Sequence, residues 1–168
     1  MNILIIGNII ALLASLLMVY TGFIKKKKKI LYVQTIQIGL MVVSNIVLGG
    51  FTGAINNALS CIRNILCYKD KLGLKAKMII SITSIVISLV FNNMGIIGLL
   101  PVVSTVIYIW LMNTKDVIKF KILIIFTSII WLIYDISIKS YTSSFFDFAN
   151  IVANIISIIQ LLKKSKIH

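Results

Sequence analysis

The sequence predicts an all-α polytopic membrane protein with seven transmembrane helices. Three observations support this: a very apolar composition, division into apolar segments of helix length, and lysine clusters at alternate ends of those segments. Of the 168 residues, 60% are hydrophobic and the mean hydropathy is +1.07. Soluble domains use fewer apolar residues. The lipid bilayer is therefore the first partner that we expect for these side chains.

The basic residues lie in four clusters at every second gap between the apolar segments. Fifteen of the 17 Lys and Arg residues fall within 25–29, 69–77, 115–121 and 163–166. Short loops on the cytoplasmic side of a membrane collect Lys and Arg. The pattern therefore predicts an N-terminus outside and a C-terminus inside. Because the charge is confined to helix ends, the net charge of +13 does not indicate nucleic acid as a partner.

The apolar segments set the number and the order of the helices. A helix that crosses a bilayer needs roughly 20 mostly apolar residues, and shorter ones are tolerated when neighbours bury them. Merging the fourth and fifth spans into one kinked helix is the main alternative, but it would place the last two lysine clusters on the wrong side. The predicted spans are 2–24, 30–48, 51–68, 78–91, 94–112, 120–138 and 145–162.

A weak internal repeat relates the first three spans to the last three. Segment 29–31 matches 121–123 at an offset of 92, and Asn57 matches Asn150 at an offset of 93. A three-helix unit ends on the side opposite its start, so a second copy in the same orientation requires one linker helix between them. The sequence therefore predicts two parallel three-helix bundles and a linker, a 3+1+3 plan. These are 1–68 for the first bundle, 78–91 for the linker and 94–163 for the second bundle.

Amide and hydroxyl side chains recur along one face of the third and seventh spans. Polar groups at this depth are costly unless they face a cavity or a partner helix. An amide offers two donors and an acceptor, which suits a small polar solute, although amides that only join helices remain an alternative. Trp131 lies on a similar face of the sixth span. We predict a solute-binding set of Asn57, Ser60, Trp131, Asn150 and Asn154.

Three more residues have predicted roles. Asp135 is the only acid well inside a span, and both proton coupling and a hydrated position at the membrane surface remain open for it. Pro101, the only proline, should break the hydrogen-bond ladder in the first half of the fifth span, which is typical of a bend or gate. Arg63, near the inner end of the third span, should extend to the cytoplasmic surface.

Several polar residues on other spans complete this picture. Gln34 and Gln37 on the second span and Tyr108 on the fifth are expected to face the same interior. The serines of the fourth span are interpreted as linker packing.

Three segments of the chain resemble the YgjV family of small bacterial inner-membrane proteins. They are the first span with its lysine run, "GGFTGAINNALSCIRNILCYKDK" at 49–71, and "GIIGLLPVVSTV" at 95–106. That family in turn resembles the SWEET, semiSWEET and PQ-loop group. The resemblance implies a multi-pass protein of the bacterial inner (plasma) membrane with a 3+1+3 plan. It also implies that Asn57 and Asn150 occupy the positions of the central asparagine pair of sugar transporters in that group. The chain lacks a proline in its first helix and a clear PQ dipeptide, so the gating mechanism stays open.

The first functional hypothesis is a transporter that moves a small polar solute by alternating access. The alternative is a non-transporting membrane binding module or partner subunit with the same fold. The sequence has no nucleotide-binding glycine loop, no His or Cys cluster and no paired carboxylates. We therefore expect no enzymatic activity, no metal and no cofactor. The identity of the solute, the coupling ion and the formation of a homo-oligomer are left open by these residues.

Overall fold

The computed structural model describes the backbone of residues 3–47, 51–91, 95–137 and 141–165. All the regular secondary structure in this part of the chain is helical. Side chains 3, 4, 45, 51–53, 135, 141–143, 164 and 165 lie outside the description. Seven α-helices and one short 3₁₀ helix form in this part. They are α1 Ile3–Phe23, α2 Lys27–Val47, α3 Phe51–Tyr68, α4 Leu74–Phe91, the 3₁₀ helix Ile97–Leu99, α5 Leu100–Leu111, α6 Val117–Ser137 and α7 Tyr141–Ser165.

The predicted number of seven helices is confirmed, and α4 and α5 are separate helices that pack on each other. The interpretation as one merged helix is therefore wrong. Several helices begin earlier than predicted: α2 begins at Lys27 and α4 at Leu74. Lysine is a good helix former, so the helix continues past the apolar segment that marks its membrane span.

Four of the helices are long and apolar enough to cross a membrane by themselves, namely α1, α4, α6 and α7. Residues Ile97–Leu111 form a shorter apolar helix. The helix α2 begins with lysines and α3 carries asparagines, so both fall below that level of hydropathy. A membrane protein with several apolar helices is thus supported, whereas the count of seven crossings stays a prediction.

The seven helices close into a ring. Each helix packs on the next one along the chain, and α1 also packs on α7; α4 makes the thinnest contacts with its neighbours. The predicted grouping into two bundles is not confirmed by this packing, since α1 and α7 meet across the predicted boundary. Large apolar side chains such as Leu16, Ile79 and Ile133 lie exposed on the outside of the ring, as expected for a surface that contacts lipid.

Three turns, α1–α2, α3–α4 and α5–α6, meet at one end of the ring, here called the lysine end. Lys28 Nζ lies 3.0 Å from Asp70 Oδ2, and Asn113 Nδ2 donates to the Leu72 carbonyl at 3.1 Å. These contacts join different turns, so the first three lysine clusters come together, as the charge pattern predicts.

A layer of apolar side chains closes the ring just inside the lysine end. Ile30, Ile109, Met112 and Phe120 are fully buried there and belong to one core cluster. The ring of Tyr108 meets that of Phe120 edge to face at 5.9 Å between centroids. Above this layer the ring of helices is hollow.

The contact between α1 and α7 depends on a glycine. A Cβ placed on Gly22 would lie 2.5 Å from the Cβ of Ala153, closer than two carbon atoms can pack. Small residues allow helix backbones to approach closely in this way.

Pro101 does not interrupt a helix. It lies in the first turn of α5, directly after the 3₁₀ helix, where a backbone N–H has no acceptor within α5. The prediction that it breaks the fifth helix is therefore wrong, because that helix begins at Leu100 and not at residue 94.

Candidate functional site

The hollow centre of the ring is a cavity of about 590 Å³. All seven helices contribute side chains to its wall, and many of these side chains are polar. Sites for small molecules have volumes of about 300–1,000 Å³, so the cavity is large enough for a small solute.

The structure brings most of the predicted site residues together around this cavity. Asn57, Ser60, Trp131, Asn150 and Pro101 all line it. So do Gln34, Gln37 and Tyr108, as expected. Asn154 is fully buried and does not line the cavity. Asp135 belongs to α6, but its side chain lies outside the described residues.

The α3 side of the cavity presents polar groups that are not engaged elsewhere. Asn57 and Ser60 from α3, with Gln37 from the neighbouring α2, line the cavity. Within the described part of the chain, the side chains of these three residues make no hydrogen bond. Their donors and acceptors are therefore available to a solute or to water.

On the α7 side, the polar groups form a chain of hydrogen bonds. Asn150 Nδ2 donates to Ser128 Oγ at 3.1 Å, and Asn154 Nδ2 donates to Asn150 Oδ1 at 3.1 Å. Lys121 Nζ donates to Asn154 Oδ1 at 3.4 Å and to the Gly22 carbonyl at 2.8 Å. Asn154 thus stands behind Asn150 and connects it to a lysine that is fully buried. This chain joins α6, α7 and α1.

The cavity floor, towards the lysine end, contains a buried cation. Arg63 is only 6% exposed and lines the cavity. Its guanidinium carbon lies 4.5 Å from the centroid of the Tyr108 ring, and its Nε donates to Asn64 Oδ1 at 3.2 Å. Tyr108 Oη donates in turn to Gln34 Oε1 at 2.9 Å. The prediction that Arg63 extends to the cytoplasmic surface is therefore wrong, because its aromatic and amide partners hold it inside.

Two serines of the polar face of α4 belong to the cavity wall, whereas Ser81 is buried outside it. The interpretation as linker packing is therefore wrong for Ser84 and Ser88. Ser84 and Ser88 line the cavity together with Phe91. Ser84 Oγ is buried and has no hydrogen-bond partner within the described part of the chain. The ring of helices turns Ser84 and Ser88 inward, because α4 packs between α3 and α5.

The positions that line the cavity recur along the chain. Ten of the lining residues come from α1, α2 and α3, and nine of these have a lining counterpart 90 positions later. The starts of α2 and α6, and those of α3 and α7, are also 90 positions apart. The nine pairs are Ser15 and Thr105, Met18 and Tyr108, Gln34 and Ile124, Gln37 and Thr127, Ile38 and Ser128, Met41 and Trp131, Asn56 and Phe146, Asn57 and Asp147, and Ser60 and Asn150.

This register differs from the predicted one. It pairs Asn57 with Asp147 and Ser60 with Asn150, whereas the sequence match paired Asn57 with Asn150. The match relied on identical residues, notably a lysine followed by two aliphatic residues. The lining positions paired by the spacing of 90 carry different side chains, so a search for identical residues does not find them.

Two cations near the cavity were missed by sequence reasoning. Lys121 is buried, whereas Lys119 in the same cluster is exposed. Nothing in a lysine-rich segment distinguishes the two before the helix packing is known. For Arg63 a signal existed: it is the only arginine among the 17 Lys and Arg residues.

A ring of apolar helices around a polar cavity is what a membrane protein with an internal site requires. Residues 5–165 match the Imp-YgjV family, described as bacterial inner membrane protein. The chain belongs to this family. No curated protein and no solved structure matches it. The membership of this chain in the family supports the bacterial inner membrane as its location and specifies no solute.

Proposed function

We propose that this member of the Imp-YgjV family moves a small polar solute across the inner membrane by alternating access, with the central cavity as the solute site. One observation carries the proposal: a cavity of about 590 Å³ on whose α3 side the polar groups of Gln37, Asn57 and Ser60 make no hydrogen bond to the described residues. Unpaired polar groups in the centre of a membrane protein are costly unless something fills the space between them.

The proposal includes the 3+1+3 plan, with seven crossings and a relationship to the SWEET and PQ-loop group. The 90-position register of the lining residues supports two equivalent units, α1–α3 and α5–α7, with α4 between them. Two such units that rock about a shared site are a common design for alternating access.

The proposal also assigns an orientation. The lysine end would face the cytoplasm and the N-terminus the outside. The apolar layer of Ile30, Ile109 and Phe120 would then close the inner side. The wall of the cavity extends to Phe91 and Gly98, near the opposite end of the ring. The described conformation would thus correspond to a state closed to the cytoplasm.

The experiment tests whether the cavity changes the side to which it opens. Cys61 and Cys67 are replaced by alanine, and a single cysteine is introduced as Asn57→Cys. A membrane-impermeant maleimide is then applied to right-side-out and to inside-out vesicles. Alternating access predicts labelling from both sides. Ser157→Cys provides the control: Ser157 is fully buried outside the cavity and should stay unlabelled.

The labelling pattern separates the proposal from its alternative. A cysteine at position 57 that reacts from one side only would contradict alternating access and favour the non-transporting binding module. No reaction from either side would contradict the cavity as an accessible site. No enzymatic step and no nucleic acid is part of either account.

A further inference from the structure

The cavity floor contains a cation for which the described part of the chain supplies no carboxylate partner. Arg63 is 6% exposed, and within the described residues the only ion pair joins Lys28 to Asp70 at the lysine end. An ionised group removed from water is stable only when it is paired or hydrogen-bonded. The ring of Tyr108 and one amide oxygen, that of Asn64, satisfy part of this requirement.

The geometry of Arg63 leaves its binding end free. Nε donates to Asn64, and the face of the guanidinium lies against Tyr108. The two terminal amino groups make no hydrogen bond within the described part of the chain, while the side chain lines the cavity. These amino groups form the planar fork that binds a carboxylate or a phosphate through two parallel hydrogen bonds.

The choice of residue supports this interpretation. Arg63 is the only arginine among the 17 Lys and Arg residues. Arg63 is also the one lining residue of α1–α3 whose counterpart, 90 positions later, is outside the cavity wall: this counterpart is Ala153, which packs near Gly22. The guanidinium thus makes the two halves of the floor chemically different.

We propose that the cavity takes a small soluble anion whose carboxylate or phosphate group binds the terminal amino groups of Arg63, while Asn57 and Ser60 bind the polar remainder. This rests on the proposed function and specifies the class of its solute. Asp147 lines the opposite wall and makes an interaction of its own.

The first test is thermal unfolding of the purified protein in a neutral, lipid-free detergent. The probes are matched pairs that differ in negative charge: benzoate and benzamide, succinate and succinamide, glycine and glycinamide, with inorganic phosphate beside them. The proposal expects at least one anion to raise the midpoint in a concentration-dependent way, and none of the amides to do so. Arg63→Gln should abolish the rise, and Arg63→Lys, which keeps the charge but loses the fork, should reduce it. Lys77→Gln, which removes a buried cation outside the cavity, should leave the rise unchanged.

The second test uses the parent protein, so it does not depend on whether an Arg63 variant folds. Phenylglyoxal modifies guanidinium groups, and this chain has only one. Mass spectrometry of the peptide that contains Arg63 then reports a single site. The stabilising anion should slow the modification roughly tenfold when it is present at about ten times its Kd, and its amide should not slow it.

The outcomes separate this inference from the proposed function. If neutral solutes stabilise the parent and the Arg63→Gln variant equally, the cavity is still supported as a solute site, but the proposal of an anionic solute is overturned. An absence of stabilisation by every probe, with unprotected Arg63, would overturn the anion and remove the support for a solute site. Vesicles that contain phosphatidylglycerol are tested in the same modification assay. If only these vesicles protect Arg63 from phenylglyoxal, the bound phosphate belongs to a lipid and the proposal of a soluble ligand is overturned.

Discussion

The helices α3 and α7 hold corresponding places around the cavity but use their polar residues in different ways. On α3, Asn57 and Ser60 face the cavity without a hydrogen-bond partner in the described part of the chain. On α7, Asn150 donates to Ser128 and accepts from Asn154, which in turn accepts from the buried Lys121. The same type of side chain therefore has two functions on the two helices. We expect α3 to bind solute and α7 to hold the ring together.

The largest effect is expected when the central residue of the hydrogen-bond chain on the α7 side is replaced. Asn154→Leu deletes the acceptor for Lys121 and the donor for Asn150. The buried ammonium group then keeps the Gly22 carbonyl as its one acceptor in the described part of the chain. We expect a loss of about 3 kcal/mol in the free energy of unfolding, since breaking a buried charged interaction on one side leaves the other group uncompensated. Unfolding in mixed micelles, followed by circular dichroism, measures it.

A double variant provides the control for this prediction. Adding Lys121→Met to Asn154→Leu removes the ammonium group that has lost its amide partner. The double variant should therefore be more stable than Asn154→Leu alone. Strictly additive losses from the two changes would show that Lys121 and Asn154 do not depend on each other.

The next effect concerns the contact by which α7 joins α1. Gly22→Ala places a methyl group 2.5 Å from the Cβ of Ala153, and the helices must separate to make room. We expect a loss of about 2 kcal/mol, as for other overpacked sites. Gly39→Ala is the matched control, because nothing lies within 4 Å of a Cβ there. It should be neutral or stabilising, since alanine favours helix over glycine by roughly 1 kcal/mol. Equal losses in the two variants would contradict the close approach.

A smaller effect is expected at the cavity floor. Tyr108→Phe removes the hydroxyl that donates to Gln34 and keeps the ring on which Arg63 lies. The free energy of unfolding should fall by about 1 kcal/mol, the usual worth of one hydrogen bond. Tyr32→Phe, on the exposed outer face, should change nothing measurable. If the Tyr108 variant also lost the ability of Arg63 to bind anions, the hydroxyl and not the ring would be what holds the guanidinium.

The smallest effect is expected at Pro101. In the first turn of α5 the proline replaces no intrahelical hydrogen bond, so Pro101→Ala should alter the free energy of unfolding by less than about 0.5 kcal/mol. The same unfolding measurement checks this. If Pro101 has a role in gating, Pro101→Ala should change the maleimide labelling of a cysteine at position 57 from one side of the membrane, without a loss of stability. A loss of more than about 2 kcal/mol would show instead that the ring itself depends on the proline.

The sequence predicted the class of the fold and much of the cavity wall for physical reasons. Apolar segments separated by lysines predict the helices, and polar residues within such segments must face inward, which identified Asn57, Ser60, Gln34, Gln37 and Tyr108. It could not predict which inward residues hydrogen-bond to each other, because that depends on the rotation of neighbouring helices. Asn154 and Lys121 are the example: their partnership joins α6 and α7, and no local pattern indicates it.

The most direct test makes the same truncation on both sides of the cavity and compares the free energies of unfolding of Asn57→Ala and Asn150→Ala. Asn57 makes no hydrogen bond in the described part of the chain, so its variant should stay within about 0.5 kcal/mol of the parent. Asn150 loses bonds to Ser128 and to Asn154, so its variant should lose about 2 kcal/mol. Equal losses from the two variants, or a larger loss from Asn57→Ala, would contradict the division of the cavity into a binding side and a holding side.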